Sequence, residues 1–326
     1  MSDKCFLTYN QQMKKLRDDK KIACKGTSNK KLLVRAGYFN IVNGYKTPFV
    51  SGVDAKGNHI YMSGTSISQL HAVKAFDDSL RSFLLRYITQ VEEEVRALTS
   101  YKFDECNGKG TTPWYHTDAY DPNVSLKDKM QVISRAYKEI SDSRLDYVRF
   151  YMDNHEHIPT WIMLKVINFS TFIDVLNCSR RDVPHAICEL YDMLDTNGRP
   201  NVKLLIGSLH WMRKIRNSCA HNERVYCVHR SGRIIENYIS ALPASYARSK
   251  DQRIFDLLVY FKYYLPKSEY KRIVLQIKDM LLNLQSTIQP GAFDYVRGQM
   301  GIKNMTDLDT LISLPKNDIA YNLFDK

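Results

Sequence analysis

Residues 76–98 read FDDSLRSFLLRYITQVEEEVRAL, and this stretch decides the fold. Its apolar residues recur at steps of three and four, the spacing that aligns side chains along one face of an α-helix. Charged residues lie off this stripe, among them Arg81, Arg86, Glu92 and Arg96. The stretch therefore predicts a long amphipathic helix that buries one face against other helices. The stripe consists of Phe76, Leu80, Phe83, Tyr87, Val91, Val95 and Leu98.

The chain on either side repeats the helical pattern and carries almost no strand signal. A second apolar stripe follows the break at 197–200, and Pro266 separates two further helices. The prediction is an all-α fold, a helical bundle with long helices. The second stripe runs along Leu205, Leu209, Met212, Ile215 and Cys219. Further helices are predicted at about 8–21, from Ser28 as N-cap to Arg35, and at about 125–141, 145–154 and 170–178, with a loop at 105–124.

Residues 1–64 are predicted to form a small basic region in front of a helical domain at 65–326. This region has short helices and an aromatic-glycine segment at 37–49. A turn at Asp54-Ala55-Lys56-Gly57-Asn58 predicts a small hairpin with Ile60-Tyr61-Met62 as one arm.

Positive charge is concentrated at the N-terminus. The net charge is +12, and residues 1–60 carry twelve Lys and Arg against four Asp and Glu. Such a surface favours a polyanionic partner, usually nucleic acid, and the alternative is a solvated basic helix that aids solubility. The candidate RNA-binding residues are Lys14, Lys15, Arg17, Lys20, Lys21, Lys30, Lys31 and Arg35.

Hydropathy and cysteine content favour a cytoplasmic protein. No apolar run approaches the ~20 residues of a membrane-spanning helix, and no signal peptide is recognisable after Met1. We expect no membrane partner. The seven cysteines are odd in number, scattered and without a CxxC pair, so reduced thiols are expected rather than a disulfide framework.

The sequence RNSCAH at residues 216–221 carries the candidate chemistry. On a helix Asn217 and His221 share a face, and Arg213 lies one turn before Asn217 on the same side. Arg216 is five residues before His221 and points away from it. One copy of the helix therefore does not bring Arg216 and His221 onto one phosphate, whereas two copies about a two-fold axis could.

These residue types suit the cleavage of RNA, which carries its own nucleophile in the ribose 2′-OH. A histidine accepts or donates a proton near neutral pH, so His221 is the candidate acid and base. A guanidinium holds two phosphate oxygens and stabilises developing charge, which is the role expected of Arg216. Asn217 would orient His221 or hold the sugar. The motif offers no carboxylate pair for a metal ion, and no cofactor is expected.

The motif belongs to an ordered set of elements that together resemble the abortive-infection family of the AbiD and AbiF type, a branch of the HEPN superfamily. The resemblance covers about residues 8–230. Each element alone is unspecific, and the specificity lies in their order. The elements are Gly37-Tyr38-Phe39 with Gly44-Tyr45 and Pro48-Phe49, Asp78 with Leu80-Arg81, Val91-Glu92 with Val95-Arg96, Pro159-Thr160-Trp161, and residues 216–222 with Arg224.

The resemblance implies an all-helical HEPN domain that forms a homodimer and builds a composite site from two Arg-x4-His copies. It implies metal-independent RNA cleavage in phage defence, with toxin-like activity held in check in some relatives by a small RNA or a protein antitoxin. Glu92, Arg96, Arg213 and Arg224 are the expected supporting residues. The Glu92 and Arg96 pair either positions the site or forms a surface bridge at i, i+4 spacing.

Three other patterns carry weaker interpretations. Cys219-x-His221 with Cys227-x-His229 resembles a zinc quartet, but its spacing matches no usual zinc module. His155-Glu156-His157 lacks the i, i+4 geometry of a metalloprotease helix. The aromatic run at 260–264 either stacks bases or belongs to the core.

Two alternative functions remain open beside the ribonuclease. The first is a non-catalytic RNA-binding or scaffold module in which the same helix forms a dimer interface. The second is nucleotide modification or binding, for which the sequence shows no phosphate-cradling glycine loop.

Overall fold

The computed structural model describes residues 6–231, 251–314 and 319, and the predicted all-α fold is confirmed. Two short antiparallel strand pairs accompany the helices: β1 (Val50–Val53) with β2 (His59–Tyr61), and β3 (Arg230–Ser231) with β4 (Asp251–Gln252). The helices are α1 (Tyr9–Asp18), α2 (Gly26–Ala36), α3 (Ile67–Cys106), α4 (Leu126–Ser141), α5 (Asp146–Asn154), α6 (Thr160–Val166), α7 (Phe169–Cys178), α8 (Asp182–Leu190), α9 (Val202–Ala220), α10 (Ile254–Tyr264), α11 (Lys267–Gln285), α12 (Pro290–Gln299) and α13 (Thr306–Ser313).

Helix α3 is the centre of the fold. It has 40 residues, which corresponds to a length of about 60 Å. A capping box starts it, because the Ser66 side chain accepts from the Gln69 N–H and the Gln69 side chain accepts from the Ser66 N–H. Helices α6, α8, α9 and α11 all pack against α3. This packing on several sides buries Arg81 and Glu92, which lie off the apolar stripe, as well as the stripe itself.

Three details of the helix predictions were wrong. Ser28 does not cap α2, which begins at Gly26 after Lys25 and has no side-chain cap. The segment at 105–124 is a loop only after Cys106 and contains a short 3-10 turn, Thr117–Ala119. Helices α8, α12 and α13 were not predicted from the sequence.

The N-terminal region packs on the helical bundle through its own apolar residues. The predicted hairpin is confirmed, with Val50 opposite Tyr61. Leu16, Leu33 and Phe49 are fully buried and belong to the same core as the stripe of α3. The division into domains at residue 64 stays a prediction.

The aromatic run of α10 belongs to the core. Tyr260, Phe261 and Tyr264 are each at most 1% exposed, so they are not available to stack on bases. In the parts of the chain that the structure describes, no helix combines the length and the hydropathy of a membrane span. The six cysteines among the described residues carry free thiols, and Cys5 lies outside them.

Candidate active site at the end of helix α9

The end of α9 holds the RNSCAH motif in a defined geometry. The apolar stripe of α9 faces the core, with Leu205, Leu209, Met212 and Ile215 fully buried. The helix ends in a Schellman motif, in which the Glu223 N–H donates to the carbonyl of Ser218 (2.9 Å) and the Asn222 N–H to that of Cys219 (3.3 Å). His221 is the C-cap and is exposed.

A depression of about 430 Å³ lies along the polar face of α9. Arg213, Asn217 and His221 all line it, as their spacing predicted. His210 continues the same face one turn before Arg213, and it was not recognised from the sequence although the i, i+3, i+7, i+11 spacing signals it. The remaining lining residues are Lys214, Ser218, Glu223 and Arg230.

The depression is rich in donors and poor in acceptors. The Nδ1 of His210 and the Nε of Arg213 are buried without a hydrogen-bond partner among the described residues. Burial lowers the pKa of His210, and the nearby charges of Arg213 and Arg230 lower it further. The carboxylate of Glu223 already accepts from the Ser218 hydroxyl at 2.9 Å. An anionic ligand would complement such a surface.

Arg216 lies outside this depression. Its Nε is 3.8 Å from Oε2 of Glu92, and its Nη1 donates to Oδ1 of Asn217 at 3.4 Å. The structure therefore brings Arg216 beside Asn217 but does not place it with His221 in the lining of one protomer's depression. This arrangement agrees with the divergence expected from five-residue spacing on a helix.

Glu92 links Arg216 to Arg96, a partly buried arginine of α3. The Oε1 of Glu92 accepts from Arg96 at 2.7 Å, and Arg96 donates further to the carbonyl of Leu164 and lies 4.7 Å from the ring centre of Phe172. Burial lowers the pKa of Arg96, and Glu92 opposes this shift. The interpretation of the pair as a surface bridge is wrong, because Glu92 is only 8% exposed. The pair instead anchors the carboxylate that faces Arg216.

The loop after the motif is held by Asp77, which the sequence did not single out. Oδ1 of Asp77 accepts from the N–H groups of Val225 (3.0 Å) and Tyr226 (2.8 Å). Oδ2 accepts from the Tyr45 hydroxyl (2.8 Å) and from Arg81 (3.0 Å). The i, i+4 spacing of Asp77 and Arg81 is the sequence signal for this pair. We call Asp77 and its four donors the Asp77 network.

The other predicted site residues lie away from His221 and serve different contacts. Arg224 donates to the carbonyl of Gly44 at 2.9 Å. Arg17 donates to the carbonyl of Cys24 at 2.9 Å, and Lys20 is half-buried with its ammonium 5.9 Å from the ring centre of Tyr61. Burial lowers the pKa of Lys20. Lys30 is half-buried, and the exposed basic candidates of α1, α2 and their connection are Lys14, Lys15, Lys21, Lys31 and Arg35.

The zinc-like pattern does not assemble a site. Burial raises the pKa of Cys219 to about 12, so this thiol is a poor metal ligand and a poor nucleophile. Within residues 6–231 and 251–314, no group of three or more His, Cys, Asp or Glu side chains is arranged to hold a metal ion. In the other metal-like pattern, His155-Glu156-His157, the His157 ring forms a hydrogen bond with the Tyr115 hydroxyl at 2.8 Å.

The family match covers most of this arrangement. The model of the family described as Abi-like protein matches residues 31–227. The chain belongs to the Abi-like protein family. The matched region of this Abi-like protein contains α3, the motif of α9 and the Asp77 network, and the family suggests a role in abortive-infection defence. None of the curated proteins and none of the solved structures matches the chain.

Proposed function

We propose that this Abi-like protein is a HEPN-type endoribonuclease of abortive-infection defence, whose active site combines Arg216 and His221 from two copies of the chain. The observation that carries the proposal is the face of α9. His221 and Asn217 line a cationic depression in which the buried His210 Nδ1 and Arg213 Nε have no partner among the described residues, and Glu92 lies 3.8 Å from the neighbouring Arg216.

In the proposed reaction the exposed imidazole of His221 takes the proton from a ribose 2′-OH. The 2′ oxygen bonds to the adjacent phosphorus, and the bond from phosphorus to the 5′ oxygen breaks. The imidazolium that forms at His221 then gives this proton to the leaving 5′ oxygen, while Arg216 comes from the other copy. The products are a 2′,3′-cyclic phosphate and a 5′-OH, and the sequence of steps requires no metal ion. The Arg216 guanidinium stabilises the negative charge of the phosphorane.

Helix geometry supports the proposed homodimer. Five residues correspond to a rotation of about 140° around α9, so Arg216 and His221 of one helix face different directions. A second copy related to the first by a two-fold axis presents the same residues in the opposite direction, so Arg216 of one copy can face His221 of the other. The partners are then RNA and a second copy of the chain, and a small RNA or protein antitoxin is the expected regulator.

The test is incubation of the purified chain with end-labelled RNA in EDTA, with His221→Ala and Arg216→Ala beside the wild type. His221→Ala removes the general acid and base, which should lower the rate of RNA cleavage by about 10²- to 10⁴-fold. The control is His229→Ala, an exposed histidine outside the depression, which should cleave like the wild type. Equal cleavage by wild type and both site variants would contradict the proposal.

Mixing the two inactive variants tests the composite site. Each mixed dimer holds one site with an intact Arg216 and an intact His221, so part of the activity returns if the two residues come from different copies. Activity that stays absent after mixing would show that they act within one chain.

The exposed lysines of α1 and α2 favour a second candidate, a non-catalytic RNA-binding module. In that case no RNA product appears under any condition. Arg216→Ala would still weaken RNA binding, and the binding would fall steeply with salt concentration.

A further inference from the structure

A second cavity of about 1010 Å³ lies beside the end of α9 and shares only Glu223 with the first depression. Its walls come from residues 35–45, from α3 and from the loop after the motif, so we call it the α2–α3 cavity. Its volume is near the upper end of the ~300–1,000 Å³ that small-molecule sites occupy. The ribonuclease proposal makes no use of it.

Phe39 stands at the rim of this cavity and is 72% exposed. The following residues of its segment are anchored, since Ile41 and Val42 are fully buried and Tyr45 is 4% exposed. The backbone from Phe39 to Asn43 forms a π-helical turn, a local irregularity that often marks functional positions. The anchored turn therefore presents the open face of an aromatic ring at a fixed place beside the cavity.

Cations outnumber acids in the lining. Arg35, Lys74, Arg81 and Arg224 face two carboxylates, those of Asp78 and Glu223. The two acids already have partners: Lys74 binds Asp78 at 2.6 Å together with Arg81, and the Ser218 hydroxyl donates to Glu223.

Two of the cations remain available to a ligand. Arg35 is exposed and has no ion pair or side-chain hydrogen bond within the described residues. Arg224 uses Nη1 for the carbonyl of Gly44, which leaves the donors of its other nitrogens free to bind an anion. An anion that binds here would therefore meet two guanidinium groups that no carboxylate of the described residues neutralises.

We propose that the α2–α3 cavity binds a nucleotide, with its base stacked on Phe39 and its phosphate held by Arg35 and Arg224. A simple anion would leave the exposed ring unused, and an apolar ligand would leave the cationic excess unpaired. A nucleotide satisfies both, because every base has a stacking face and a guanidinium pairs with two phosphate oxygens. The same chemistry is offered by a free nucleotide and by an unpaired nucleotide within an RNA strand.

Binding is measured on the full-length His221→Ala chain, so that no RNA is cut and the result does not depend on cleavage. The probes are AMP, UMP, inorganic phosphate and a labelled single-stranded RNA of eight nucleotides. Calorimetry measures the binding of the small probes, and fluorescence anisotropy measures the binding of the labelled RNA. Phe39→Ala should weaken nucleotide binding about tenfold, while Phe39→Trp retains it. Arg35→Ala and Arg224→Ala should each weaken it at least about fivefold.

The matched controls are Phe150→Ala and Arg149→Ala, an exposed aromatic and an exposed cation on α5, which should bind like the parent. Equal loss for the mononucleotides and the RNA would identify a site for free nucleotides, and loss for the RNA alone would identify a strand-binding site. The proposal is overturned if Phe39→Ala binds every probe like the parent or if inorganic phosphate competes as well as AMP. Cleavage by the wild type is scored separately, so either proposal can fail without the other.

Discussion

The two sides of the end of α9 differ in how their polar groups are satisfied. On one side the Asp77 carboxylate is fully buried and accepts from four donors on three parts of the chain. On the other side His221 is exposed, and the buried His210 Nδ1 and Arg213 Nε have no hydrogen-bond partner among the described residues. A satisfied buried network rigidifies a structure, whereas unpaired donors cost free energy until a ligand supplies acceptors. The Asp77 side therefore holds the motif in place, and the His221 side is suited to bind.

The largest expected effect concerns the Asp77 side of the end of α9. Asp77→Ala leaves the N–H groups of Val225 and Tyr226 and the Tyr45 hydroxyl without their acceptor, and Arg81 keeps only Asp78 as an ionic partner. The free energy of unfolding should fall by about 3–5 kcal/mol, measured by urea denaturation. Asp77→Asn keeps one acceptor and should lose less, and the exposed Asp153→Ala should change stability by less than about 0.5 kcal/mol. An Asp77→Ala chain as stable as this control would show that the network does not hold the loop.

The next effect concerns the link between the two sides. Glu92→Gln keeps a hydrogen-bond acceptor for Arg96 but removes the charge that faces Arg216. We expect RNA cleavage to fall about tenfold, since a displaced catalytic group loses its orientation. Stability should fall by about 1–3 kcal/mol, because the partly buried Arg96 loses its counter-charge. The control is Glu93→Gln, because Glu93 is next to Glu92 in the chain but has an exposed carboxylate. Unchanged cleavage by Glu92→Gln would show that the Glu92 carboxylate does not orient Arg216 for cleavage.

A smaller effect is expected at the turn that joins the two sides. Asn222 has a φ of 54°, in the left-handed region that asparagine and glycine tolerate best. Asn222→Ala should lower the free energy of unfolding by about 1 kcal/mol, whereas Asn222→Gly should be close to neutral. Urea denaturation of the two variants checks this, and equal stability of the two would argue against strain at this position.

The smallest expected effect is the pH dependence of stability that His210, on the His221 side, contributes. In the folded chain the pKa of His210 lies below its ordinary 6.5, first through burial and then through Arg213 and Arg230, while Asp174 opposes the shift. As the pH falls below 6.5 the unfolded chain takes up the proton first, so the contribution of His210 to stability is lost and levels off below the folded pKa. His210→Gln should be less sensitive to acid than the wild type in denaturation curves at pH 5 and 7.5, values chosen on either side of the ordinary pKa. Parallel losses in both chains would contradict this.

Part of this site was predictable because it depends on local geometry. Arg213, Asn217 and His221 share a face since they lie three and four residues apart on one helix, and the same rule separates Arg216 from His221. The family was also predictable from the order of short motifs, and the match over residues 31–227 confirms the family. The contact that Arg224 makes was not predictable in this way, because the chain turns at Asn222 and Arg224 then donates to the carbonyl of Gly44.

By itself the sequence determined the helical class, the long helix α3, the stripe of α9 and the family, because each rests on spacing within one segment or on the order of short motifs. The tertiary structure decided which carboxylates reach the motif. Asp77 and Val225 are 148 residues apart in the chain, and their contact exists only because α3 packs against α9. The same packing buries Glu92 beside Arg216 and leaves the polar face of α9 open. Periodicity shows which face of a helix is apolar, but the partners of its polar residues depend on which helices become neighbours.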